Sequence, residues 1–224
     1  MSGINFGRFF KKDIPQMAPH FDEAEGRALF DFMKNNRWDL TSTNELERML
    51  ADFIGSKYGI FSVNGTFTLT LALLALDIKS GDEVLVPAST MIASANAGAL
   101  IGVRPVLVDV EPGTLCMNLE KAAEAITPKT KAVMYVPLNG RSGDMDKVVE
   151  FAKNHNLFLI EDAAQALGSY WQGANSDKKH LGTFGDIGSF SFSLFKIITT
   201  GQGGALVTES SELQKKINLL KNFG

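Results

Sequence analysis

The chain has 224 residues, 45% of them hydrophobic and 21% charged, enough for one large α/β domain with a real core and room for a small appendage. A net charge of −3 argues against nucleic acid or an anionic membrane as the main partner. The single cysteine, Cys116, excludes an intrachain disulfide and fits a reducing compartment. The N-terminus lacks the apolar core of a secretion signal, and no apolar run reaches the roughly 18 residues of a membrane helix. These features predict a soluble cytoplasmic protein.

Residues 1–20 are Phe-rich, with Lys11-Lys12, Pro15 and Pro19, and read as an extended arm. Leu29, Phe30 and Met33 space an amphipathic helix over 22–35. Residues 38–42 read as a loop. Ser42 and Glu45 make a capping box for a helix Thr43–Ile54 that stops at Gly55. Tyr58–Val63 is a predicted strand, Asn64-Gly65-Thr66 a tight turn, and Phe67–Leu76 a helix. Strand and helix then alternate: strand Glu83–Pro87, helix Ser89–Leu100, strand Pro105–Val110, helix Asn118–Ile126, strand Ala132–Val136, helix Met145–Asn154, strand Leu157–Ile160. Gly173–His180 is polar and reads as a surface loop. Ile187–Phe192 and Ala205–Thr208 are late strands, and Glu212–Asn222 a terminal helix. The alternation predicts an α/β fold, a mostly parallel sheet with helices on both faces. Ligands then sit beyond the carboxyl ends of the strands. The turns after four strands, at Asn64, Pro87, Pro137 and Glu161, are expected to converge there.

Lys196 stands between Phe195 and Ile197-Ile198, an apolar setting that would desolvate its ammonium and favour the free amine. Taken alone, it also fits a surface lysine ending a strand. Asp162 follows four apolar residues, where a carboxylate can pair with a protonated ring nitrogen; it also fits a helix N-cap. Glu161, next to it, should point to the opposite side. Gln165 lies one turn on, facing either a ligand or solvent. Gly65-Thr66 opens a helix directly after a strand, and its amides with the Thr66 hydroxyl make a phosphate seat. Ser191 can add a hydroxyl to that seat or be an ordinary strand serine. An acid at one strand end and a lone lysine in an apolar segment together point to pyridoxal phosphate (PLP). His20, His155 and His180 have no metal-like spacing, so no metal is predicted.

Three runs carry a resemblance: Glu161-Asp162-Ala163-Ala164-Gln165-Ala166, Gly185-Asp186-Ile187-Gly188-Ser189-Phe190-Ser191-Phe192, and Lys196 followed by Thr199-Thr200-Gly201-Gln202-Gly203-Gly204. With Asn64-Gly65-Thr66, Gly81-Asp82-Glu83-Val84 and Pro87, they resemble the PLP-dependent nucleotide-sugar aminotransferases of the DegT/StrS type. The resemblance covers most of the chain in the right order. It implies the large PLP-binding domain of the fold type I aminotransferases. Lys196 would bind the cofactor (as PLP or its amine form, PMP) through an imine and shuttle protons. Asp162 would pair with the pyridine nitrogen and Gln165 with the ring oxygen. Gly65, Thr66 and Ser191 would hold the phosphate. The reaction implied moves an amino group, from a donor such as glutamate, to a nucleotide-linked keto sugar in amino-sugar biosynthesis. The implied assembly is a homodimer with active sites at the subunit interface.

The chain departs from the family pattern at three places. Met91 stands where an aromatic residue usually stacks on the cofactor, and a thioether packs on a ring less rigidly. Gln202 stands where Glu is common, and Pro137-Leu138-Asn139-Gly140 replaces a His-Leu-Tyr-Gly pattern. Family members continue past the position of Gly224 through a small C-terminal domain. The expectation is therefore a large domain, residues 21–224, without that small one, binding PLP and transaminating poorly or not at all; a non-catalytic PLP-binding module is the alternative from another class. A PLP-dependent sugar dehydratase is the alternative within the family, but that subgroup carries histidine at the lysine position. A nicotinamide Rossmann enzyme is disfavoured because Asn-Gly-Thr, not G-x-G-x-x-G, follows the first strand.

Overall fold

The computed structural model describes residues 21–35, 40–173 and 177–223. The expected arm over 1–20 lies outside them. The chain divides into two compact units, Met1–Arg37 and Trp38–Gly224. In the first, helix α1 (Glu23–Lys34) is closed by a capping box between Asp22 and Glu25.

The second unit holds α2 (Thr41–Ile54), β1 (Tyr58–Ser62), α3 (Gly65–Ala75), β2 (Glu83–Pro87), α4 (Ala93–Ala99), β3 (Arg104–Val108), α5 (Leu119–Glu124) and β4 (Thr130–Tyr135). It continues with α6 (Met145–Asn154), β5 (Phe158–Asp162), β6 (Tyr170–Trp171), β7 (Lys179–His180), β8 (Ile187–Ser191), β9 (Gly204–Thr208) and α7 (Ser211–Phe223). The main sheet has seven strands in the order β1-β9-β8-β5-β4-β2-β3. Neighbours from β8 to β3 are parallel, and β9 runs antiparallel to both β8 and β1. A single reversed strand thus leaves the carboxyl ends of the other six at one edge.

Strand residues alternate between two cores. Val84, Val86, Met134, Ile160 and Leu206 pack with α3, Ala97 of α4 and Ile217 of α7. Leu85, Val133, Tyr135, Leu159 and Val207 pack with Leu50 and Ile54 of α2, Ala122 of α5 and Val148 and Phe151 of α6. Both faces are therefore covered, as a largely parallel sheet requires. Helix α3 is apolar around most of its circumference and buries seven of its eleven residues, the pattern of a central helix.

Four expectations are corrected. Helix α2 starts at Thr41 with Leu40 at its N-cap and no side-chain cap, so Ser42 and Glu45 lie inside the helix and form no capping box. Helix α3 begins at Gly65 rather than Phe67, because the Asn64 side chain accepts the Phe67 N–H at 2.8 Å and caps it. Residues 89–92 are not helical. Short-range bonds hold them as a turn, among them the Ala93 N–H to the Met91 sulfur at 3.1 Å and the Ser94 N–H to the Met91 carbonyl. The 173–180 stretch is not all loop, since Lys179–His180 pairs antiparallel with Tyr170–Trp171.

Candidate active site

The carboxyl edge of the sheet opens into a cleft of about 330 Å³, inside the roughly 300–1,000 Å³ range of small-molecule sites. Gly65, Thr66, Met91, Asp162, Gln165, Ser191 and Lys196 all line it. Asn64, Leu69, Thr90, Ala93, Val136, Ala164, Ser193 and Phe195 complete the wall. The turns after β1, β2, β4 and β5 thus meet as the topology predicts, and the 137–140 turn reaches the cleft through its bond to Gln165.

At one end, β1 passes into α3 beside β8 and β9. A Cβ on Gly65 would come within 2.8 Å of the Ser191 Cβ, and one on Gly204 within 2.4 Å of the Asn64 backbone carbon. Only glycine permits these approaches. The Phe67 and Thr68 N–H groups are taken by the Asn64 side chain and carbonyl. The Gly65 and Thr66 N–H groups, one residue earlier, have no intrahelical acceptor by position. Thr68 Oγ1 donates to the Gly65 carbonyl at 2.7 Å and lies 2.7 Å from the buried Ser189 hydroxyl, which fixes the peptide plane behind those amides. The Ser191 hydroxyl has only a long contact, 3.5 Å, from the Ser193 N–H.

At the other end stands Asp162. Its parity on β5 matches Ile160, so it faces the α3 and α4 side, whereas Glu161 shares parity with Leu159 and faces away. Asp162 is 5% exposed, and burial raises its carboxyl above the usual range; the Ser94 hydroxyl at 2.6 Å, the Ala164 N–H at 3.3 Å and the charge of Lys196 oppose that rise. It caps no helix. Glu161 is fully buried and serves structure. Its two oxygens accept the N–H groups of Gly182, Phe184 and Gly185 at 2.6–2.9 Å and pin the turn before β8.

Lys196 lies in a turn closed by its own N–H to the Ser193 carbonyl at 3.0 Å. Burial lowers its ammonium below the ordinary lysine value, and the Asp162 charge works against this. The desolvation does not come from the flanking isoleucines, which are 73% and 57% exposed at Ile197 and Ile198. Lys196 is half-buried in the cleft, which Phe195 also lines, so of the expected apolar neighbours only Phe195 shares that setting. No ion pair joins Lys196 to Asp162.

Gln165 Oε1 accepts the Asn139 N–H at 3.0 Å. Asn139 has the left-handed φ of 54°, a conformation Asn tolerates better than most residues, and it turns that N–H toward Gln165. The bond consumes the amide oxygen and leaves the Gln165 NH₂ as the donor. Met91 lines the cleft and is 57% exposed. Sequence reasoning missed Ser94 and the Asn139 contact. The one local sign of Ser94 was its four-residue spacing from Thr90.

Residues 19–224 match the DegT/DnrJ/EryC1/StrS aminotransferase family. The chain belongs to that family. It is 47% identical to a GDP-perosamine synthase of Caulobacter vibrioides over 219 residues, 95% of this chain and 57% of that relative. Spr1654 of Streptococcus pneumoniae in its PLP-form superposes with a TM-score of 0.85 at 30% identity, over 93% of this chain and 58% of that one. DesI in the presence of its TDP-sugar product gives 0.85 at 31%, over 94% and 53%. The chain thus spans a little over half the length of these family members. Among the described residues, no helix is long and apolar enough to cross a membrane, and no cluster of metal-binding side chains occurs.

Proposed function

We propose that this chain carries the PLP site of an aminotransferase that moves an amino group, from a donor such as glutamate, to a nucleotide-linked keto sugar. The observation that carries the reading is one cleft that holds a desolvated lysine and a buried carboxylate with a phosphate-sized cradle beside them. The cradle fits the group: the missing Cβ of Gly65 lets Ser191 close on the start of α3, and among the described residues the amides of Gly65 and Thr66 with the Ser191 hydroxyl lack strong partners of their own. Support for the substrate class comes from the named relatives, one a GDP-perosamine synthase and one solved with a TDP-sugar product.

When bound, PLP supplies an electron-withdrawing ring that stabilises negative charge on an adjacent carbon. The protein's own groups do the rest. Asp162, as a carboxylate, would hold a proton on the ring nitrogen. Gly65, Thr66 and Ser191 bind the phosphate through N–H and O–H donors. Gln165 offers its NH₂ to the ring oxygen because Asn139 holds its carbonyl. Met91, on the cleft wall, would pack against the ring. Burial favours the neutral amine of Lys196 relative to an ordinary lysine, and its Nζ would act as the nucleophile and then as the base that moves a proton at the substrate carbon.

The assembly we propose is a cytoplasmic homodimer. Its support is an exposed apolar group at the cleft mouth: Met91, Ile92, Leu194, Phe195, Ile197 and Ile198 are each 42–73% exposed. The test of function is direct. Added PLP should give a visible absorption band, and borohydride should attach the cofactor covalently to the peptide containing Lys196. Trapping at the same yield in Lys196→Ala would overturn the assignment.

A further inference from the structure

Asp162 must stay charged in surroundings that oppose charge, and no cation pairs with it directly. Hydroxyl groups do instead. Ser94 Oγ lies 2.6 Å from Asp162 Oδ2, and Thr90 Oγ1 lies 2.9 Å from Ser94 Oγ. For an ionised Asp162, counting hydrogens fixes the direction. An ionised carboxylate only accepts, so the single Ser94 hydrogen goes to Asp162. The hydrogen between the two hydroxyls is then Thr90's. The relay runs Thr90 to Ser94 to Asp162, from the cleft wall inward. Ser94 is 1% exposed, so no water competes for this bond. Among the described residues, the only other hydrogen bond to the Asp162 side chain is the long one from the Ala164 N–H at 3.3 Å.

Residues 89–92 form a turn directly ahead of α4. The turn brings Thr90 beside Ser94 in the first turn of α4 and aims both at the end of β5. Among the residues lining the cleft, from every element around Asp162, the only other ionisable group is Lys196. With so few charges near, the hydroxyl bond is the main local contact favouring the ionised form.

We infer that Thr90 and Ser94 are positioning residues whose relay keeps Asp162 ionised, ready to hold a cationic ring nitrogen; this rests on the PLP reading above. Ser94 acts on Asp162, and Thr90 acts through Ser94 by polarising its hydroxyl. A charge-assisted bond of this length is stronger than a neutral one.

The test reads the Asp162 carboxyl directly. Carboxyl carbon-13 NMR follows its titration in the cofactor-free chain, for wild type, Ser94→Ala, Ser94→Thr and Thr90→Val, with Asp162→Asn identifying the resonance. Ser94→Ala should raise the midpoint by about one unit or more, Thr90→Val by less, and Ser94→Thr should stay near wild type. A Ser94→Ala change below about 0.3 unit, or an equal change in Ser94→Thr, overturns the relay. Thr90→Val keeps the shape and leaves Ser94 in place; if Ser94→Ala does not fold, its midpoint decides alone, a rise supporting the relay and no change overturning it. The second reading uses PLP labelled with nitrogen-15 in the ring. In Ser94→Ala the ring-nitrogen shift should move to the unprotonated position at a lower pH than in wild type, and an unchanged profile overturns the role toward the ring. If wild type binds no PLP, the functional reading fails by itself, and the carbon-13 result still stands or falls independently.

Discussion

Gly65 and Ser191 lie so close that a Cβ on Gly65 would stand 2.8 Å from the Ser191 Cβ. Neither side can retreat. Gly65 opens α3, whose Leu69, Leu71 and Leu73 are buried, and Ser191 is paired with Gly204 at the start of β9. Gly65→Ala should therefore lower stability by about 1–3 kcal/mol through overpacking. It should also displace the first amides of α3 and weaken PLP binding by about tenfold or more, since 1.4 kcal/mol already gives that factor. Ser191→Ala removes a hydroxyl with no strong partner, so it should weaken PLP binding with little change in stability. Denaturant melts and PLP titration of both variants check this. Wild-type affinity in Gly65→Ala would reject the cradle.

Asp162 makes a stability prediction whose sign is opposite to its functional one. Burial raises its carboxyl pKa in the folded protein. Below the unfolded value of about 3.9 the acid is neutral in both states, and that contribution is fully present. As pH rises through the folded value, the native state must ionise a buried group and stability is lost. Asp162→Asn removes that cost and keeps an oxygen for the Ser94 hydroxyl. The cofactor-free variant should melt higher than wild type at pH 7–8, by roughly 2–4 °C for each 1 kcal/mol, and gain little near pH 4. The same variant should lose turnover. An equal shift in melting temperature at both pH values would reject the account.

Its neighbour should respond in the other direction. Burial raises the Glu161 carboxyl above the usual range too, but three backbone N–H groups converge on its oxygens and oppose that rise. Glu161→Gln keeps the size and replaces one acceptor oxygen by an NH₂ that faces an N–H. Leaving a buried donor unsatisfied costs about 1–3 kcal/mol, so this variant should be less stable than wild type at pH 7. Its effect on PLP binding should come only through the turn before β8. A Glu161→Gln protein as stable as wild type would show that the three amides find other partners.

The contrast between these acids also marks where sequence reading works. Period-two alternation in Leu159-Ile160-Glu161-Asp162 assigns opposite faces, and the two cores bear that out. Apolar runs placed the main strands, because a sheet covered on both faces needs them. Turn chemistry was less legible. Asn64 looked like part of a turn and is a cap, and Ser42-Thr43-Asn44-Glu45 imitates a capping box inside a helix. Such local signals compete, and tertiary packing decides between them. The Ser94 bond to Asp162 spans 68 residues and the Gln165 bond to Asn139 spans 26, too far apart in sequence for local spacing to join the partners. The small β6-β7 ribbon was hidden for the same reason, since its strands have two residues each and Trp171 is anchored by its Nε1–H to the Gly143 carbonyl at 2.7 Å.

His180 gives a final pH prediction away from the cleft. It is 1% exposed, with its Nε2 accepting the Gly168 N–H at 2.8 Å and its Nδ1 bonded to the Leu181 carbonyl. That pattern requires the neutral ring with its proton on Nδ1. Tyr170, Phe53 and Phe190 pack around it at 4.9–6.0 Å between ring centres. Burial lowers its pKa below the usual histidine value, with the Leu181 bond opposing. The stability it contributes is fully present above about pH 6.5, the unfolded value, and is lost as pH falls through the folded one. Protonation at Nε2 sets two donors, the ring N–H and the Gly168 N–H, against each other and loosens the 163–168 segment that carries Gln165. Urea midpoints of wild type should therefore fall between pH 6.5 and 5. In His180→Gln the amide can still accept the Gly168 N–H, so the variant should start lower at pH 7.5 and decline less over the same interval. Parallel pH profiles for the two proteins would show that His180 does not titrate in the folded state, and the predicted pH dependence would be withdrawn.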